Sequence, residues 1–250
     1  MRFCAYLSGI IWDQIPILSL KEKKNNCSFY LAFPYIVRKK DEKQLNQLYT
    51  LLKSPVFDGV LVRNPESISF LEKMQNTKDV VTDTGVYAYN KEALAFWAEH
   101  GDEHYLPVEL NRHEWKELIE EAHRTEKKVS LTVYGRLPVM LSANCLKKTT
   151  DNCKKCAGFV TLTDRYKKDF PVYTDCTYCY NIMYNSVPLS LHKLFAGKEK
   201  KPFGIRLDFT VEDQKETLAV IQYFKELTHG CYKEPFYQEF TTGHYKRGVE

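Results

Sequence analysis

The feature that most constrains this chain is an alternation. Short apolar runs rich in β-branched and aromatic residues recur every twenty to thirty residues, with helix-period segments between them. The runs Phe29–Ile36, Gly59–Val62, Val80–Thr82, Tyr105–Val108 and Val129–Tyr134 are the expected strands, and Glu42–Leu52, Pro65–Met74, Lys91–Glu99 and Arg112–His123 the expected helices. Helix starts carry their own signals. Asp41, Asn90 and Asn111 can each offer a side-chain oxygen to the exposed first-turn amides, and Pro65 suits the first helical position after Asn64. A sixth unit follows much later, with strand Phe203–Phe209, a cap at Thr210 and helix Val211–Leu227. Strands joined through helices at this spacing run parallel, in an open doubly wound sheet or in a barrel. The reading adopted is an α/β fold, a (β/α) TIM-like barrel, complete or truncated.

Between the fifth and sixth units the rhythm stops, and Pro138–Pro188 forms a cysteine-rich excursion. Five of the eight cysteines, Cys145, Cys153, Cys156, Cys176 and Cys179, fall in this stretch. Thiols this dense point to a metal, and two quartets are open. Cys153 and Cys156 with Cys176 and Cys179 make paired C-x-x-C knuckles of zinc-ribbon type; a wider set replaces Cys156 with Cys145. Zinc held by four thiolates has no open position for water and is structural, whereas an iron–sulfur centre brings electron transfer or oxygen chemistry. A chain of 250 residues buries a core without disulfides, so metal binding is the better use for the thiols. At the N-terminus Arg2 precedes the apolar run Cys4–Ile11, which Asp13 interrupts with no cleavage site. The expectation is a chain with no membrane span and a cytoplasmic, reducing location, with residues 1–28 as an N-terminal segment before a domain over 29–250. A net charge of +4 neither demands nor excludes a nucleic acid, and the charged stretches Lys21–Asn26 and Lys198–Lys201 read as solvated loops.

Active sites of β/α barrels gather at the C-terminal ends of the strands. Arg38, Arg63, Asp83, Glu109 and Arg136 each fall at or just after such an end, and a ring of three guanidiniums with two carboxylates suits an anionic ligand. Arg206 and Asp208 share a face of the last strand and can pair with each other. No G-x-G-x-x-G or P-loop occurs, nor a G-x-S-x-G elbow, nor H-E-x-x-H, so nucleotide-cofactor, serine-hydrolase and His/Glu metal-hydrolase readings find no motif.

Several strings then point to one family: Tyr134-Gly-Arg-Leu-Pro-Val-Met140, Ser142-Ala-Asn-Cys145, Leu162-Thr-Asp-Arg-Tyr166, Phe170-Pro-Val172 and Cys176-x2-Cys179-Tyr-Asn-x2-Tyr-Asn185. Together with Val108-Glu-Leu-Asn111 and Thr242-Gly-His-Tyr-Lys-Arg-Gly248, they closely resemble the collagenase-like peptidases, peptidase family U32. The resemblance runs from about Phe29 to the end and is to the C-terminal portion of the long members. It implies a protease by family name. For the members understood as oxygen-independent hydroxylases, it implies a 4Fe-4S cluster and RNA modification. Carried over, it implies Cys145, Cys153, Cys176 and Cys179 as the ligands, with Cys156 an extra thiol and structural zinc the alternative metal. Glu109, Arg136, His244 and Arg247 are the candidate catalytic residues from position and motif, and Arg38, Arg63 and Asp83 the candidate substrate-binding ones. RNA and a companion U32 domain or subunit are the implied partners. A non-catalytic, metal-stabilised scaffold domain is the contrasting class.

Overall fold

The computed structural model describes residues 3–7, 27–150, 157–197 and 202–247, the first stretch by its backbone alone. Cys153, Cys156 and the charged stretches Lys21–Asn26 and Lys198–Lys201 lie outside the described residues. The chain divides into two compact units, one of residues 1–107 and 120–129, the other of 108–119 and 130–250.

The first unit is a parallel strand–helix repeat. It runs β1 (Phe3–Leu7), β2 (Cys27–Ala32), α1 (Glu42–Leu52), β3 (Gly59–Val62), α2 (Pro65–Lys73), β4 (Asp79–Thr82), α3 (Lys91–Ala98) and β5 (Glu103–Tyr105). Neighbouring strands follow chain order through β1-β2-β3-β4-β5, and every pair is parallel. Sequential order distinguishes a barrel wall from a doubly wound sheet, whose strand order reverses at a switch point. Alternation gives each strand two apolar faces. Phe29, Leu31, Phe33, Val60 and Val62 pack with Leu45, Tyr49, Leu52, Ile68 and Leu71 of the helices, while Tyr30, Ala32, Leu61, Val81 and Tyr105 form a cluster of their own. Burial on both faces is what parallel strands require. Gly59 is fixed by a close approach: a Cβ there would run into the Tyr30 ring and the Asp79 carbonyl.

The helix α4 (Arg112–Arg124) and the strand β6 (Lys128–Gly135) contribute residues to both units. In the second unit β6 pairs in parallel with β12 (Gly204–Leu207) and antiparallel with β11 (Leu189–Ser190). Between them residues 138–184 form β7 (Pro138–Ser142), a one-turn α5 (Leu146–Thr149), β8 (Gly158–Thr163), β9 (Asp169–Asp175) and β10 (Tyr180–Tyr184). These strands make a separate antiparallel sheet in the order β7-β10-β9-β8. β7 lies at its edge, with Val139, Met140 and Leu141 exposed. The final helix, α6 (Gln214–Thr228), starts from a reciprocal capping box between Asp213 and Glu216.

The fold is therefore mixed α/β with a sequential strand–helix repeat, compatible with part of a barrel. Among the described residues the strand pairing does not return to β1, so a closed eight-fold barrel is not formed by them. Three smaller corrections have local causes. The fifth strand is Glu103–Tyr105 rather than Tyr105–Val108, because Asp102 docks on Val80 through both its amide and its carboxylate, and Pro107 has no amide to extend a ladder. Asp41 does not cap α1; its carboxylate turns back to accept the Arg38 amide at 2.9 Å. Thr210 does not cap the last helix, since Glu212 accepts the amides of Thr210 and Val211 and the helix starts three residues later. No helix among the described residues is long and apolar enough to cross a membrane.

Candidate functional site

In the first unit, two of the three positions expected at strand ends fall where parallel strands finish, and those two are partners. Arg63 follows β3, Asp83 follows β4, and Arg63 Nε lies 2.9 Å from Asp83 Oδ2 with 11% and 3% of the side chains exposed. A second guanidinium nitrogen donates to the Phe33 carbonyl at 3.3 Å, and the group sits 4.1 Å from the Tyr35 ring centroid. Asp83 Oδ1 accepts the Thr84 amide at 2.8 Å. Beside them Asn64 accepts the Ser67 amide as the cap of α2 and donates to the carbonyls of Pro34 and Tyr35. These contacts clamp the segment after β2 onto the ends of β3 and β4. Arg38 is half-buried, at the far end of that segment.

In the second unit, Arg136 follows β6 and its guanidinium donates to the carbonyls of Asn185 at 3.1 Å and of Ser186, where the chain leaves β10. Those contacts tether the segment after β10 to the end of β6. Glu109 is half-buried in the turn before α4 and has no side-chain hydrogen bond or ion pair among the described residues. His244 and Arg247 are exposed in a C-terminal segment that is docked through three contacts. Leu189 bridges Thr241, the Arg112 amide donates to the Tyr245 carbonyl at 3.1 Å, and the Trp115 and Tyr245 rings meet at 5.2 Å. Arg206 Nε and Asp208 Oδ1 pair with each other at 2.5 Å.

The cysteines are placed by the register of the second sheet. Cys176 and Cys179 occupy the turn between β9 and β10, just beyond the paired Asp175 and Tyr180. Asp175 Oδ1 shapes that turn by accepting the amides of Thr177 at 2.9 Å and Tyr178 at 3.0 Å, and Cys179 takes a left-handed backbone with φ of 52°. Cys145 follows β7 three residues past Ser142, which pairs with Asn181 of β10. Cys145 thus leaves the sheet at the end that carries Cys176 and Cys179. β8 begins at Gly158, paired with Thr174, so the strand that follows Cys153 and Cys156 in sequence also starts at this end. Cys145 and Cys176 are half-buried and Cys179 is exposed. Tyr178 in the turn and Tyr180 just after it are buried, and the pKa of Tyr173 is pushed up to about 12 by burial, with Asp175 and Cys176 adding to it. The strand register brings Cys145, Cys176 and Cys179 to one end of the sheet. Among the described residues, however, no three Cys, His, Asp or Glu side chains are gathered closely enough to hold an ion.

Sequence reasoning missed one constellation. Ser190 Oγ lies 2.9 Å from His192 Nδ1 and 2.7 Å from the Tyr237 hydroxyl, and His192 Nε2 lies 3.5 Å from Glu234 Oε2 without hydrogen-bond alignment. The Ser-x-His spacing is the only signal for it, and that is too common to select. Ser190 is 1% and His192 0% exposed, and burial lowers the His192 pKa against the pull of Glu234. A serine sealed this way and held by a tyrosine is a core hydrogen-bond network, not an accessible nucleophile.

A sequential parallel strand–helix repeat, joined in sequence to a cysteine-bearing antiparallel sheet, defines a mixed α/β protein compatible with part of a barrel. The model of peptidase family U32 matches residues 10–157, more than half of the chain, and the chain belongs to that family. The match begins earlier than the resemblance read from the motifs and ends before Cys176. No curated protein matches. Among solved structures, that of the U32 peptidase Mk0906 is similar at 14% identity, with a TM-score of 0.38 over 54% of this chain and 70% of that one.

Proposed function

We propose that this U32 protein is an iron–sulfur-dependent enzyme acting in RNA hydroxylation, with Cys145, Cys153, Cys176 and Cys179 as the metal ligands. The observation that carries it is the strand register, which sets Cys145, Cys176 and Cys179 at one end of an antiparallel sheet. A bound 4Fe-4S cluster supplies one-electron chemistry that no side chain here provides. The protein's part is to hold the cluster and orient substrate. An RNA substrate is supported by charge, since residues 138–184 carry seven Lys and Arg against four Asp and no Glu. A companion U32 domain or subunit would complete the substrate surface. The peptidase reading has the family name behind it, but the Ser190–His192 pair is too enclosed to serve it.

The test is anaerobic purification followed by iron, sulfide and zinc analysis, with serine placed at each of the five cysteines in turn. The reading expects a brown protein that loses iron on replacement of Cys145, Cys153, Cys176 or Cys179 and keeps it on replacement of Cys156. Colourless protein with bound zinc supports the structural-metal alternative instead. Mass spectrometry of nucleosides from cells with and without the protein then reads whether an oxygen atom is added to RNA.

A further inference from the structure

We infer that Asn181 is a positioning residue for the thiolate centre: its side chain locks the stretch before Cys145 against β10, so that Cys145 is held at the sheet end that carries Cys176 and Cys179. The inference rests on the thiolate-site reading above.

Cys145 poses a local problem. It lies three residues past the last paired residue of an edge strand, where no ladder hydrogen bond from the described residues holds the chain. Asn181 supplies the missing hold. It stands in β10 two residues after Cys179, pairs with Ser142 in register, is 3% exposed, and its Nδ2 donates to the Asn144 carbonyl. The Asn144 amide in turn donates to Ser142 Oγ at 3.2 Å, so the residue before Cys145 is tied at both backbone groups. On the other side the Cys145 carbonyl accepts the Lys148 and Thr149 amides at 3.0 Å and the Thr149 hydroxyl at 3.1 Å. The backbone of Cys145 is therefore pinned from both directions, and one of the two pins is an Asn whose neighbour-but-one is another candidate ligand.

The same amide is expensive for packing alone. Asn181 Oδ1 is buried with no hydrogen-bond partner among the described residues. A buried unpaired acceptor is unfavourable, and an apolar residue of the same shape would avoid it. A role in holding a ligand residue accounts for the amide. Groups that orient metal ligands in this way typically change affinity ten- to a hundredfold when removed.

The discriminating variant is Asn181→Leu, close in shape but without the donor, with Asn181→Ala as a second and Asn181→Gln as the conservative change that keeps an amide. Each is purified anaerobically. The readouts are iron and sulfide per chain, the visible charge-transfer spectrum, metal loss to a competing chelator, and thermal melting of the metal-free form. The expected result is metal-free melting of Asn181→Leu at or above that of the wild type, with metal lost to chelator at least tenfold more readily, an altered spectrum and partial recovery in Asn181→Gln. A metal-loaded wild type with an Asn181→Leu variant equal to it in affinity and spectrum overturns the inference alone. A wild type holding no thiol-bound metal overturns the site reading, and the inference with it.

Discussion

Arg63 and Asp83 face each other across the ends of two adjacent parallel strands, their charged atoms 2.9 Å apart and nearly shut off from solvent. Both positions look like solvent-facing ligand contacts in the sequence, yet in the fold each is the other's counter-ion. The pair belongs to the architecture of the strand ends before it belongs to any ligand.

Removing one member strands the other in a low-dielectric setting, the case in which a buried pair is most sensitive. Arg63→Met and Asp83→Leu singly are expected to destabilise by about 3 kcal/mol each. The double change should lose clearly less than the sum. Urea unfolding of the four proteins in a double-mutant cycle checks this, and strict additivity would show the pair to be uncoupled.

His104 is fully buried in β5, with its Nδ1 2.8 Å from the Thr82 hydroxyl and its Nε2 without a partner among the described residues. Burial, then the nearby Lys127 charge, hold its pKa at about 4 against a smaller opposing pull from Asp102. The unfolded chain binds the proton near pH 6.5, so the stability contributed by neutral His104 is complete above that pH. It is lost as pH falls from about 6.5 toward 4, by roughly 3 kcal/mol in all. Unfolding free energies from pH 7 to pH 4 for the wild type and His104→Asn should diverge across this window; parallel profiles would refute the assignment.

Gly59 has no room for a side chain between Tyr30 and Asp79. Gly59→Ala is expected to cost at least 1–3 kcal/mol through overpacking, despite the helpful loss of backbone freedom in the unfolded state. Combining it with Tyr30→Leu should restore part of the loss. A calorimetric melting series reads both effects.

What could be read in advance tracks how local the physics is. Asn64 and Asn90 cap their helices by accepting the amides of Ser67 and Ala93, and Asn111 accepts those of His113 and Glu114, because an N-cap needs only residues three apart. The Arg206–Asp208 pairing was legible for the same reason. The antiparallel sheet over 138–184 was not, and β9 shows why. Pro171 sits in that strand between two neighbours, which ordinarily argues against a strand. The pairing with β10 covers only Val172–Asp175, so Pro171 lies where β9 has β8 alone beside it. Register of this kind is a tertiary property. The candidate site divides likewise: cysteine spacing raises the expectation of a metal from the sequence, whereas Asn181 and the Ser190–His192 pair depend on chain segments meeting.

The open side of β7 has a practical corollary. Val139, Met140 and Leu141 are exposed, and among the described residues no strand mates with the outer edge of β7, the kind of template on which strands of separate molecules zip together. Precipitation during overproduction should begin there, and lysine at Met140 is the natural remedy for anyone preparing the protein in quantity.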